Sequence, residues 1–157
     1  MKKFFKAITL IAVLCIICAI CFLMRKAVNT TYTRVLKTNW SIELPNAGAK
    51  EFFSYSEPSF HGDGIRYHVI DYPIGNENKK IQNTSFQIEK IFHNSPQPTE
   101  DQIIYVEQLL SQIDVRADVI PDWSKCNLLY RKQDDNSELF LFYWSDTGTV
   151  YIVESLV

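Results

Sequence analysis

The feature that most constrains this chain of 157 residues is an apolar run near its amino terminus. From Ala7 to Met24, 18 consecutive residues carry no charge, and apart from three cysteines the only polar side chain is Thr9. A helix of that length spans roughly 27 Å, close to the hydrocarbon thickness of a bilayer. Lys2, Lys3 and Lys6 precede the run, Arg25 and Lys26 follow it, and no acidic residue occurs before position 27. Burying such a run in a water-soluble fold would take a larger core than the rest of the chain can spare.

Three readings compete for this segment. A cleaved signal peptide wants a shorter apolar stretch and a small-x-small cleavage site, and none follows. A lipoprotein signal wants a small residue before the modified cysteine, but Cys15, Cys18 and Cys21 follow Leu14, Ile17 and Ile20. The favoured reading is an uncleaved signal anchor, with residues 1–26 as the transmembrane segment and residues 7–24 inside the membrane. Basic residues are balanced on the two flanks, three before and four after through Lys37, so the positive-inside rule does not decide orientation. The short head favours an inside amino terminus, which puts residues from about 30 onward outside the cytoplasm.

The rest has a different character. It carries all 18 acidic residues and 11 of the 16 basic ones, a net charge of −7 with histidine neutral. It has no basic stripe, which argues against nucleic acid as a partner. Its only cysteine is Cys126, so it cannot close an internal disulfide and must rely on its core. No family signature surrounds Cys126, and we read it as a buried thiol.

Residues 27–37 show little pattern and read as a stalk. Residues 38–157 then read as one α+β domain. "TNWSIELP" alternates, with Trp40, Ile42 and Leu44 on one face, and predicts a half-buried strand. "EFFSYSE" and "GIRYHVIDYP" predict two more, the second with Ile65, Tyr67 and Val69 opposite Arg66, His68 and Ile70. "TSFQIEKIFHN" is ambiguous between helix and strand, with Thr84 or Ser85 a possible helix cap. The clearest helix follows Thr99, where Gln102 completes a capping box and Ile103, Val106, Leu110 and Ile113 form a stripe. The C-terminal part reads as a meander of "NLLYRKQ", "ELFLFYWS" and "TVYIVESLV", joined by "DDNS" and "DTG", where Gly148 suits positive φ. The sum is an antiparallel sheet of about five or six strands with one main helix packed on it.

Two groups of residues compete as sites. "SFHGDGIRYHVIDYP" holds His61, Asp63 and His68, a candidate acid/base set for a small hydrolase. The plainer reading is glycine turn chemistry feeding a strand. Along an extended strand His68 lies about 13 Å beyond Gly64, too far to share a metal with His61 and Asp63. The second group is Phe140, Phe142 and Trp144, which are either core or an aromatic face for a partner or a glycan. With one helix predicted, the second sheet face has no obvious cover. The nucleophile elbow, phosphate-binding loops and metal-ligand spacings are absent, so nothing implies a cofactor or a metal, and the sequence points away from an enzyme. Sequons at Asn29, Asn39 and Asn83 matter only in a eukaryotic secretory pathway.

The layout "MKK", apolar run, "WSIELP" and "SFHGDGIRYHVIDY" resembles small membrane-anchored, single-span proteins of Gram-positive bacteria that carry no assigned activity. The resemblance implies a location and no catalytic residues. The expectation is a bacterial envelope protein whose extracytoplasmic domain binds another envelope protein, in an immunity-like, inhibitory or sensor role. The rivals are the hydrolase and a glycan-binding module.

Overall fold

The computed structural model describes residues 32–56, 63–75 and 79–157. The apolar run, residues 57–62 and residues 76–78 lie outside the described residues. Among those described, no helix is long and apolar enough to cross a membrane.

One five-stranded antiparallel sheet organises the lobe. Its strands are β1 (Lys50–Ser56), β2 (Gly64–Asp71), β3 (Asn127–Lys132), β4 (Glu138–Trp144) and β5 (Thr149–Leu156), in spatial order β1-β2-β5-β4-β3. The meander β3-β4-β5 forms as its turn chemistry dictates, with Asn136 at φ 70° in the first turn and Gly148 at φ 71° in the second. β5 then occupies the centre, paired to β4 on one side and to β2 on the other. Side-chain alternation splits the sheet into two apolar faces. Ile65, Tyr67, Val69, Phe140, Phe142 and Val153 point one way, while Ile70, Leu139, Leu141, Tyr143, Val150 and Ile152 point the other.

Among the described residues three helices cover these faces: α1 (Thr33–Trp40), α2 (Lys79–Phe92) and α3 (Glu100–Gln112). α3 lies on the first face through Val106, Leu109 and Leu110, joined by Trp123 from the loop that follows. Its capping box is present: Gln102 N–H donates to Thr99 Oγ1 at 3.3 Å, and Thr99 N–H donates to Gln102 Oε1 at 2.9 Å. Thr99→Ala is expected to lower stability by about 1 kcal/mol, read as a drop in the thermal midpoint.

The opposite face carries α1 and α2, where one helix and an open face were expected. α1 takes residues that the sequence assigns to a stalk through Lys37 and to a strand from there. Tyr32, Leu36 and Trp40 recur every four residues and are all buried, so a helix seats three large side chains that a loose stalk would leave in water. Ser41, at φ 55°, ends the helix with its N–H on Leu36 O. The alternation of Ile42 and Leu44 persists, and both are buried, but the segment is extended chain without a ladder partner. α2 starts before the proposed caps. Thr84 therefore sits inside the helix, buried, with Oγ1 donating to Ala47 O at 3.2 Å.

Candidate functional site

The acid/base set read from the sequence does not assemble among the described residues. His61 lies outside them. Asp63 is exposed, beside an open depression of about 340 Å³ that Asn39, Asp135 and Val157 also line. His68 is buried on β2, five residues further along, or about 16 Å of extended chain. Its Nδ1 is 2.6 Å from Glu51 Oε1 and its ring is stacked on Tyr32, 3.5 Å between centroids at 13°. The imidazole is thus sealed under a phenol ring and engaged on the nitrogen facing Glu51, with no open approach for a substrate.

That histidine borders a buried polar cluster that pattern reading missed. Glu154 sits in central β5, fully buried, on the same face as Val150 and Ile152. The Tyr32 hydroxyl and the Trp40 indole N–H both donate to its carboxylate. Arg66, directly across the ladder on β2, places Nη1 3.9 Å from Oε2. Burial, with the Glu154 charge next, pushes the Tyr32 phenol far above its ordinary range, so it stays protonated as a donor. The two donors flank α1, one before its first residue and one at its last. A single carboxylate therefore fastens the whole helix to the sheet. The signal in the sequence is a lone acid on the apolar face of "TVYIVESLV", which costs too much to bury without partners.

On the other face, an open groove of about 450 Å³ runs between the start of α3 and the β3-β4 hairpin. Phe140 forms its floor. Tyr105 and Tyr130 stand on either side of Phe140, with ring centroids 5.8 Å and 4.9 Å from it. Both hydroxyls donate to Glu138, Tyr105 at 2.8 Å and Tyr130 at 2.5 Å, and Lys132 Nζ reaches the same carboxylate at 3.4 Å. Asp101 and Gln102 complete the rim. Burial, then the hydrogen bond and charge of Glu138, push the Tyr130 phenol up to about 12, and the same causes raise Tyr105. Desolvation of Glu138 works against its charge, but the combined donation from Tyr130, Tyr105 and Lys132 outweighs it and lowers the carboxyl below its usual range.

A carboxyl whose folded pKa is lowered stabilises the fold above its unfolded pKa, and that stability is lost as pH falls through the folded value. Wild type is therefore expected to lose more thermal stability than Glu138→Gln as pH falls through and below the ordinary carboxylate range. Parallel melting curves check this.

The aromatic trio divides. Phe142 is fully buried in the core, and Phe140, also buried, contributes only the floor of the groove. Trp144 is half-buried, with Lys125 Nζ 5.5 Å above its ring. Cys126 is fully buried, and burial pushes its thiol up to about 12, so it is not a nucleophile at neutral pH. No group of three or more His, Cys, Asp or Glu among the described residues is arranged to hold a metal ion. Comparison with protein-family models, with curated proteins and with solved structures finds no match to this chain.

Proposed function

We propose that this chain is a membrane-tethered recognition protein. Residues 7–24 anchor it in the bilayer, and the acidic lobe lies outside the cytoplasm, where it binds another envelope protein rather than transforming a substrate. The observation that carries this reading is the groove between Tyr105 and Tyr130. Its two rings are fixed in place by hydrogen bonds to Glu138 while keeping exposed surface, which is how a rigid contact surface is made at little cost in side-chain entropy. By contrast, His68 and Glu154 are enclosed and hydrogen-bonded within the fold, which suits a structural role better than acid/base chemistry.

Membrane fractionation with protease shaving of intact protoplasts tests the proposal. The expected result is a full-length chain in the membrane fraction whose lobe is lost to external protease. A chain recovered intact from the cytosol, or a lobe that only lysis exposes, would overturn it.

A further inference from the structure

The helices on the two sheet faces differ in charge. On one face, α1 and α2 carry Arg34, Lys37, Lys79, Lys80 and Lys90 against Glu89 alone. On the other, α3 carries Glu100, Asp101 and Glu107 and no basic residue. Lys37 is paired with Glu43 at 2.7 Å, while Arg34, Lys79 and Lys90 are all exposed. A basic helical layer is out of character in a chain whose net charge beyond residue 26 is −7.

The same layer presents the most exposed aromatic ring among the described residues. Phe86, 65% exposed, stands on the side of α2 away from buried Thr84, Ile88 and Phe92. Lys79 lies two turns before it and Lys90 one turn after, so the three share an outward stripe. Ile74, 47% exposed, follows Pro73, whose carbonyl accepts from Ser85 Oγ at 3.4 Å. This corner of the lobe adjoins the point where the chain enters it. The turn that receives Thr84 at Ala47 O also receives Thr33, the first residue of α1, at Asn46 Oδ1. Seven residues, 25–31, separate the described lobe from the apolar run, and fully extended they span about 25 Å.

From these observations we infer that the α1–α2 layer of the lobe lies on an anionic lipid surface. Phe86 and Ile74 enter the headgroup level, and Arg34, Lys79 and Lys90 meet the lipid phosphates. The inference rests on the reading of residues 7–24 as an anchor and adds which face of the lobe meets the bilayer. Basic side chains are drawn to anionic headgroups within a Debye length, and aromatic rings favour the membrane interface. A short tether makes the contact intramolecular, so a weak patch suffices. The groove lies on the opposite face of the sheet, so this pose leaves Tyr105 and Tyr130 open to a partner.

The test uses the full chain in nanodiscs of brominated phospholipid, one set zwitterionic and one containing phosphatidylglycerol. Phe86→Trp and Ile104→Trp each add an indole at an exposed position, one on each helical face. In the anionic discs the added emission of Phe86→Trp is expected to be quenched at least about twofold more than that of Ile104→Trp. The difference should shrink in zwitterionic discs, with added salt, and when Lys79→Glu and Lys90→Glu are combined with the reporter. In the unsubstituted chain, hydrogen exchange should be slower in α2 in anionic discs than in zwitterionic ones, and unchanged in α3.

Equal quenching at the two positions, no quenching at Phe86→Trp, or indifference to lipid charge overturns the inference. So does a blue-shifted, unquenched Phe86→Trp, which would mean that a protein covers this face. A chain that protease shaving finds outside the membrane removes the anchor and this inference together. A membrane-bound chain with an unquenched reporter removes the inference alone.

Discussion

Glu154→Ala is expected to lower the stability of the lobe by about 3–5 kcal/mol, the usual effect of removing one partner from a buried charged pair. In a fold of this size that moves the thermal midpoint by on the order of 10 °C or more. The loss has three parts, all visible in the structure. Arg66 loses its cross-strand carboxylate, the Tyr32 hydroxyl and Trp40 indole lose their acceptor, and a cavity opens in the central strand. Glu154→Gln keeps the shape and one acceptor oxygen, so its expected cost is smaller, about 1–3 kcal/mol. Chemical denaturation of the three proteins gives the ranking. If Glu154→Ala matched wild type, the attachment of α1 through this carboxylate would be refuted.

The second large effect is expected at Gly148, in the turn between β4 and β5. Its φ of 71° lies in the left-handed region, and a Cβ there would stand 2.5 Å from Tyr72 O and 2.4 Å from Ile74 Cγ2. The isoleucine can rotate away. The carbonyl cannot move freely, because the Tyr72 N–H is itself bonded to Gly148 O at 3.0 Å. Backbone strain of about 1–2 kcal/mol combined with steric overlap gives an expected loss of about 2–4 kcal/mol for Gly148→Ala. A urea titration of this variant checks the figure. A change under about 0.5 kcal/mol, the range of neutral surface substitutions, would mean that the turn adjusts at little cost.

Much of this fold is legible in the sequence, and the reasons are local. α3 announces itself because Thr99, Gln102 and the Val106–Leu110 stripe agree with one another. The meander is legible because Asn136 and Gly148 are residue types that tolerate positive φ, set between alternating apolar runs. α1 is hidden because Trp40, Ile42 and Leu44 satisfy a two-residue period while Tyr32, Leu36 and Trp40 satisfy a four-residue one. Only the tertiary pocket around Leu36 and the acceptor on Glu154 decide between them. The start of α2 is missed because Thr84 offers good capping chemistry that the folded chain spends on Ala47 O instead. The second sheet face has no obvious cover in the sequence for the same reason, since α1 reads as stalk and strand and the α2 segment reads as either helix or strand.

The groove is a different kind of omission. Tyr105 and Glu138 are 33 positions apart, and no spacing rule joins a helix to a hairpin that it crosses. His68 was noticed for its chemistry, yet the side chain that closes it off, Tyr32, belongs to a segment assigned to the stalk. Residue type suggested a site there, and packing turned it into part of the core.

The strand at the middle of the sheet is also the one synthesised after the other four. Without it the other strands have no ladder joining β1-β2 to β3-β4, and α1 has no carboxylate to hold it. The bonds from Tyr32 and Trp40 to Glu154 close chain separations of 122 and 114 residues, so assembly waits on contacts of the longest range.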